Sequence, residues 1–107
     1  MAIWTRELDL KALNAGSANT AISHLGIEFT EYGDDYVRAR IHVDERTCQP
    51  YGILHGGVSV VLAETLGSMA AACSIPEGYR CVGLGVTANH VRAGRKGSWI
   101  TATARPT

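Results

Sequence analysis

The chain has 107 residues, 46% of them hydrophobic, and its ten basic and ten acidic residues give a formal net charge of zero at pH 7. The hydrophobic fraction excludes a disordered chain. The balanced charge, without a basic stripe, argues against a nucleic-acid partner. The length is that of one domain with a single core.

The N-terminal segment is not expected to be a signal peptide, because Arg6 and Asp9 interrupt any apolar run. The longest apolar stretch, residues 58–73, contains Glu64, so neither a transmembrane span nor a membrane partner is expected. Three cysteines without CxxC spacing and four histidines without HxxxH spacing indicate no metal site, and no cofactor is expected. A soluble cytoplasmic protein is the resulting prediction.

The first part of the chain predicts two short helices followed by a hairpin. Apolar spacing in residues 8–25 predicts two helical pieces that break around residues 14–17, and Gly26 is expected to end the second. Alternating apolar and polar residues predict strands over residues 27–32 and 36–43. In the second strand the apolar positions face the core, which leaves its two arginines on a solvated face.

A long helix is predicted from about Gly56 to Cys73, roughly 27 Å in length. It is apolar nearly all round, so it is expected to be buried on most sides, by a sheet wrapped around it and by a partner alongside. Two more strands are predicted after it, over residues 81–91 and 98–104. The predicted fold class is therefore α+β, with an antiparallel sheet around a long central helix.

The start of this helix, His55-Gly56, is a place where chemistry is possible. Backbone N–H groups without intrahelical partners and the positive end of the helix dipole gather there. A glycine lets a substrate carbonyl approach closely, and its N–H can donate to an oxyanion. Alternatively, the glycines simply permit a tight turn into the helix, and the dipeptide alone favours this second interpretation.

Glu64 changes that balance, because a carboxylate inside an apolar run is costly unless it is paired or used. It lies eight residues beyond Gly56, about 12 Å along the axis, and cannot easily serve a carbonyl held at Gly56 of the same chain. Antiparallel helices in a two-fold dimer would bring Glu64 of one chain to Gly56 of the other. Ser68, on the same face, could orient the carboxylate or a water, and Gln49 could flank the site. Alternatively, Glu64 is a buried glutamate that is satisfied by helix N–H groups or by a partner. Gln49 is alternatively a solvated loop residue.

A family resemblance extends over essentially the whole chain. Its four longest blocks are V-D-x-R-T-x-Q-P-x-G-x-L-H-G-G at residues 43–57, AE-x-x-GS at 63–68, HLGI at 24–27 and ANHVR at 88–92, and the shorter blocks are IW at 3–4, LN at 13–14, GDD at 33–35 and VGL at 82–84. They closely resemble the hotdog-fold acyl-CoA thioesterases, in the branch with the 4-hydroxybenzoyl-CoA, 1,4-dihydroxy-2-naphthoyl-CoA and enterobactin-proofreading enzymes. The resemblance implies a sheet wrapped around a central helix and dimers that pair these helices.

The resemblance also implies a role for each site residue. The Gly56 N–H would polarise the thioester carbonyl, and His55 and Gln49 would position or polarise the same group. Glu64 of the facing subunit would act as nucleophile or general base, and Ser68 would assist the hydrolytic water. The matching substrate-binding positions are His90, Arg92 and Met69.

We therefore predict hydrolysis of an acyl-CoA thioester, with an aromatic acyl group, by a homodimer or homotetramer. Family members continue past the segment that matches residues 104–106 with about two more strands. The 107 residues are thus expected to form a single hotdog domain that lacks these C-terminal strands. A non-catalytic acyl-CoA-binding or assembly module, inactive without those strands, is the alternative. Menaquinone synthesis, siderophore proofreading and general housekeeping remain open as pathways.

Overall fold

The computed structural model describes residues 2–76, 78 and 94–105. The described elements, in chain order, are α1 (Leu10–Gly16), α2 (Ala21–His24), β1 (Glu28–Tyr32), β2 (Val37–His42), α3 (Gly56–Ser74) and β3 (Trp99–Ala104). These helices and strands agree closely with the predicted ones. The strand predicted over residues 81–91 lies outside the described residues.

The three strands form an antiparallel sheet in the order β1-β2-β3, with β2 in the centre. Val37, Ala39 and Ile41 of β2 are buried and face α3, where Leu62 and Leu66 are each only 2% exposed. Burial of a valine, leucine or isoleucine side chain of this kind stabilises the fold by about 1.5–3 kcal/mol. The alternation in β2 thus confirms the predicted facing of that strand.

The arginines of β2, on its other face, are more engaged than the predicted solvated face suggests. Arg38 pairs with Glu31, and Arg40 pairs with Glu28 at 3.4 Å. The Arg40 guanidinium also lies 4.0 Å from the centre of the Trp99 ring. Cross-strand ion pairs and a cation–π contact therefore fix the outer surface of the sheet.

Helix α1 continues through the segment where a break was expected and ends at Gly16, with Ser17 as its C-cap. Asn14 does not interrupt the helix, because its side chain bonds the edge of β1 instead of its own backbone. Its Nδ2 donates to the Phe29 carbonyl at 3.0 Å, and its Oδ1 accepts from the Phe29 N–H at 2.8 Å. The break therefore falls between α1 and α2, after residue 16.

Among the described residues, helix α3 buries only one face. Leu62, Leu66 and Cys73 are buried on the sheet side, whereas Glu64 and Gly67 on the opposite side are exposed. The predicted cover by a sheet is present on this side of α3, and the predicted cover by a partner on the other side stays a prediction. Among the described residues α3 is long and apolar enough to cross a membrane by length and composition, but its packing on the sheet makes it the core helix of the domain.

The N-terminal segment caps the far end of α3. Thr5 donates to the Cys73 carbonyl through its N–H (2.8 Å) and its hydroxyl (3.1 Å), and the hydroxyl also lies 2.7 Å from the Ile75 carbonyl. Arg6 donates to the Ala72 carbonyl at 3.1 Å, which places a cation at the negative end of the helix dipole. These donors satisfy the last carbonyls of a helix that has no glycine C-cap of its own.

Candidate active site

The loop over residues 43–54 is more ordered than predicted, and buried Thr47 organises it. The Thr47 hydroxyl donates to the His42 carbonyl at 2.8 Å and accepts from the Asp44 N–H at 3.0 Å. The backbone carbonyl of Thr47 accepts from the His55 N–H at 2.8 Å. Thr47 thereby connects the end of β2 to the start of α3. No role was predicted for Thr47 from the sequence, because these bonds join atoms that only the folded loop brings together.

The loop is also held by an ion pair between Asp44 and Arg46. Arg46 Nη2 lies 2.6 Å from Asp44 Oδ2, and the Arg46 N–H donates to Oδ1 at 2.9 Å. The side-chain hydrogen bond from Arg46 is the main reason that the pKa of Asp44 falls from 3.8 to about 2. A Cβ on Gly26 would lie 2.7 Å from Arg46 Nη2, and φ there is 78°. The positive φ is the reason that position 26 requires a glycine, because the guanidinium is the end of a flexible side chain and could move away from a Cβ.

This ion pair predicts a specific pH dependence of stability. The Asp44 carboxyl has a lower pKa in the folded chain than its ordinary value of 3.8, so its contribution is complete above about pH 4 and is lost as the pH falls towards 2. Chemical denaturation of the wild type and of Asp44→Asn between pH 7 and pH 2 should show a difference in unfolding free energy that shrinks below about pH 4. A difference independent of pH would contradict the ion-pair explanation.

His55 forms the N-cap of α3. Its Nδ1 accepts from the Gly57 N–H at 2.9 Å, and its carbonyl accepts from the N–H groups of Val58 and Ser59. The imidazole folds back over Gly57, where an added Cβ would lie 3.1 Å from both Nδ1 and Cε1. The second glycine of the HGG motif therefore makes room for the capping ring.

Gln49 is fixed by a tight turn in the same loop. Its N–H donates to the Ile53 carbonyl and its carbonyl accepts from the Gly52 N–H, each at 2.9 Å. The side-chain oxygen, Oε1, accepts from the N–H of Tyr51, whose own side chain is 89% exposed. Within the described ranges, Gln49 Nε2 forms no hydrogen bond, so the donor end of the amide remains available to a ligand.

Glu64 and Ser68 lie in an open groove of about 470 Å³ between α2 and α3, together with Met69. The other lining residues are Ala21, Ile22, Val61, Thr65 and Ala72. In the part of the chain that the structure describes, Glu64 forms no hydrogen bond or ion pair. The other five serines each donate to a backbone carbonyl, whereas the Ser68 hydroxyl has no such bond among the described residues. Both groups can therefore serve a ligand or a water.

The predicted site residues fall into two groups along one chain. At the N-terminus of α3 lie Gln49, His55 and Gly56. About two turns further along lies Glu64, and about one turn beyond it lie Ser68 and Met69. The predicted substrate-binding residues His90 and Arg92 are outside the described residues.

The chain is similar to known proteins over most of its length. Residues 51–107 match the thioesterase superfamily. The proofreading thioesterase EntH of Cronobacter turicensis is 52% identical over 95 residues, which are 89% of this chain and 69% of EntH. The structure of thioesterase HI1161 from Haemophilus influenzae is similar with a TM-score of 0.93 and 48% identity, over 97% of this chain and 72% of that one.

Two solved relatives carry substitutions of a glutamine or a glutamate. A glutamine-to-alanine variant of thioesterase PA1618 from Pseudomonas aeruginosa has a TM-score of 0.93 and 47% identity, over 97% of this chain and 75% of that one. SAV0944 from Staphylococcus aureus has been solved as a glutamate-to-alanine variant, with 32% identity, and as a glutamine-to-alanine variant, with 30% identity. Each structure has a TM-score of 0.72 over 78% of this chain and 69% of that one. In SAV0944 the two substituted residues are fifteen positions apart.

Fold and sequence together define a thioester hydrolase with the α+β hotdog fold. The chain belongs to the thioesterase superfamily.

Proposed function

We propose that the protein hydrolyses an acyl-CoA thioester to a free acid and CoA at a site shared between two copies of the chain. One copy supplies Gln49, His55 and Gly56, and the other supplies Glu64 and Ser68. The observation that carries this proposal is the position of Glu64, which is about 12 Å along a straight helix from Gly56 and has no partner among the described residues. Only another chain brings the two groups together.

The chemistry assigned to each half follows from its charge. The thioester carbonyl oxygen lies at the N-terminus of α3, where the dipole is positive and the Gly56 N–H and Gln49 amide donate to the negative charge that develops. The Glu64 carboxylate either attacks the carbonyl carbon, giving an anhydride that water opens, or takes a proton from an attacking water. In both routes the CoA thiolate leaves, and Ser68 holds the water beside Glu64.

The variants of SAV0944 support the pairing of Gln49 with Glu64. These two residues are separated by the same fifteen positions as the glutamine and glutamate substituted in that relative. The coincidence of residue type and spacing favours one functional pair in both proteins.

The exposed face of α3 supports a homodimer or a dimer of dimers. It carries small residues beside Glu64, and Gly67 at its centre has nothing within 4 Å of an added Cβ. A mid-helix glycine costs about 1 kcal/mol relative to alanine. No contact among the described residues explains this cost, whereas close approach of a second helix does. We infer a soluble, cytoplasmic enzyme whose α3 helices pair.

The groove beside Glu64 is proposed to hold the acyl group. Its walls are largely apolar, with Met69 as a flexible side chain that can adapt to the ligand. The volume of about 470 Å³ accommodates an aromatic ring, so an aromatic acyl-CoA is the proposed substrate. His90 and Arg92 are assigned to the acyl or CoA side by the family resemblance.

A thiol-release assay over benzoyl, short-chain and medium-chain acyl-CoA substrates tests this function. We expect kcat/KM to be highest for the aromatic substrate, with one CoA thiol released per acid formed. Higher values for the straight chains would exclude the aromatic assignment. Binding without thiol release, in a protein shown by mass measurement to be dimeric, would instead support the non-catalytic binding module.

A further inference from the structure

Met69 lines two separate spaces, the groove beside Glu64 and an apolar gap where the N-terminal segment and β2 meet α3. The gap has an empty volume of about 150 Å³ and is lined, besides Met69, by Trp4, Leu8, Leu13, Val37, Ala70 and Cys73. No polar atom of these described residues faces the gap, and it is too narrow to hold a water molecule. Among the described residues, Met69 is the one side chain that lines both spaces.

The walls of the gap other than Met69 are held in place. Val37 is 1% exposed and Leu8 is 6% exposed, and both belong to the buried core. The indole N–H of Trp4 donates to the Gly33 carbonyl at 2.8 Å, which fixes the ring beside the turn between β1 and β2. Packed walls of this kind relax only partially around an empty space, whereas Met69 is partly buried and has three rotatable side-chain bonds. Met69 is therefore the side chain that can move into the gap.

The position of Met69 along α3 corresponds to the far end of a bound acyl group. Met69 is five residues beyond Glu64, about 7.5 Å along the helix axis. A thioester whose carbonyl lies beside Glu64 and whose acyl group follows the groove therefore reaches Met69 with the end remote from the sulfur. Met69 Sδ lies 3.8 Å from Cys73 Sγ, and a thiol and a thioether form only a weak hydrogen bond. Displacement of Met69 thus breaks no strong contact.

We propose that a long acyl group displaces Met69 into the apolar gap, so that the acyl site becomes deeper at its far end. The inference rests on the proposed function for the position of the thioester beside Glu64. The ligand class that it adds is an aromatic acyl group with an alkyl substituent opposite the carbonyl, because the space that Met69 vacates is apolar and lies beyond the ring. An acyl group that ends at the ring leaves Met69 in place.

A substitution that fills the gap tests the inference. Ala70 lines the gap but not the groove, so Ala70→Leu occupies the space that Met69 needs. We expect the kcat/KM for 4-butylbenzoyl-CoA, divided by that for benzoyl-CoA, to fall at least about tenfold, as for methylene groups excluded from an apolar pocket. Ala12→Leu makes the same change at an exposed position of α1, outside both spaces, and should leave this ratio at its wild-type value.

Leu13→Ala makes the opposite change and also covers the case in which Ala70→Leu does not fold. It enlarges the gap at a residue that does not line the groove, so the ratio should rise although Tm falls. Lower stability alone acts on both substrates alike and does not change their ratio. An unchanged ratio in a folded Ala70→Leu protein, or in Leu13→Ala, would overturn the inference.

The movement of Met69 is measured without turnover. The sequence contains two methionines, so the carbon-13 methyl signal of Met69 is identified by its loss in Met69→Leu. Added 4-butylbenzoate should shift this signal until the site is saturated, because the methyl group moves against the ring of Trp4, whereas benzoate should leave it in place. A signal that 4-butylbenzoate does not move, or that benzoate moves equally, would overturn the inference. A wild-type protein that releases no thiol from any acyl-CoA would contradict the proposed function, but a saturable shift would still show that Met69 enters the gap.

Discussion

Glu64→Gln is expected to lower kcat by about 10³-fold or more, because an amide can neither attack the thioester nor accept a proton from water. The change should leave the fold intact, since the Glu64 carboxylate forms no hydrogen bond or ion pair among the described residues and its side chain is exposed. Thiol release and thermal unfolding measure the two effects. Glu7→Gln, on an exposed glutamate of the N-terminal segment, is the matched control and should retain activity.

A mixing experiment decides whether Glu64 acts across two chains. Glu64→Gln and Gln49→Ala homodimers are each expected to be nearly inactive. After subunit exchange, half of the dimers are mixed, and each mixed dimer contains one intact site, so about a quarter of the wild-type activity should return. If exchange is demonstrated by mass and no activity returns, the two residues do not serve one shared site.

Gly67→Ala is expected to weaken the dimer and reduce activity at low protein concentration. In one chain alone the new methyl group meets nothing within 4 Å, and alanine is the better helix former by about 1 kcal/mol, so an isolated chain would become more stable. If a paired helix approaches closely at Gly67, the substitution is instead destabilising for the dimer, because the methyl group separates the two backbones. We expect the dimer Kd to rise at least about tenfold in sedimentation or mass photometry, with a parallel loss of thiol release.

Gly16→Ala is the control for Gly67→Ala. Gly16 also lies in a helix with nothing within 4 Å of an added Cβ, but it belongs to α1 and not to the exposed face of α3. It should leave the dimer unchanged. A Gly67→Ala protein that is more stable and equally dimeric would place the interface elsewhere.

Local sequence patterns predicted most of the fold because their physical causes are local. Alternation identified the buried face of β2, and the conformation required of Gly26 marked the end of α2. The apolar character of α3 predicts cover by a sheet on one side and by a partner on the other, and among the described residues the sheet side is the covered one. Cover of exposed residues such as Gly67 by a partner stays a prediction. The positions of the apolar residues along α3 indicate that two faces of the helix are apolar. They do not indicate which molecule covers each face.

The candidate site was predicted in its residue types but not in its hydrogen-bond directions. Gln49, His55 and Glu64 were all identified from spacing and resemblance, and their roles remain proposals. The role of Thr47 and the use of the His55 lone pair as a helix cap depend on bonds between specific atoms. Such bonds arise only once the loop has folded, so no pattern of residues along the chain contains them.

The contact of Thr5 with the end of α3 also has a consequence for synthesis on the ribosome. The hydroxyl of Thr5 reaches carbonyls that lie 68 and 70 residues later in the chain. The N-terminal segment therefore cannot reach its final position until the whole of α3 has left the exit tunnel, whereas the hairpin of β1 and β2 depends on nearby residues and can form earlier. Thr5 and Arg6 leave the tunnel first, so the C-terminal end of α3 is capped only after residues 72–75 have emerged.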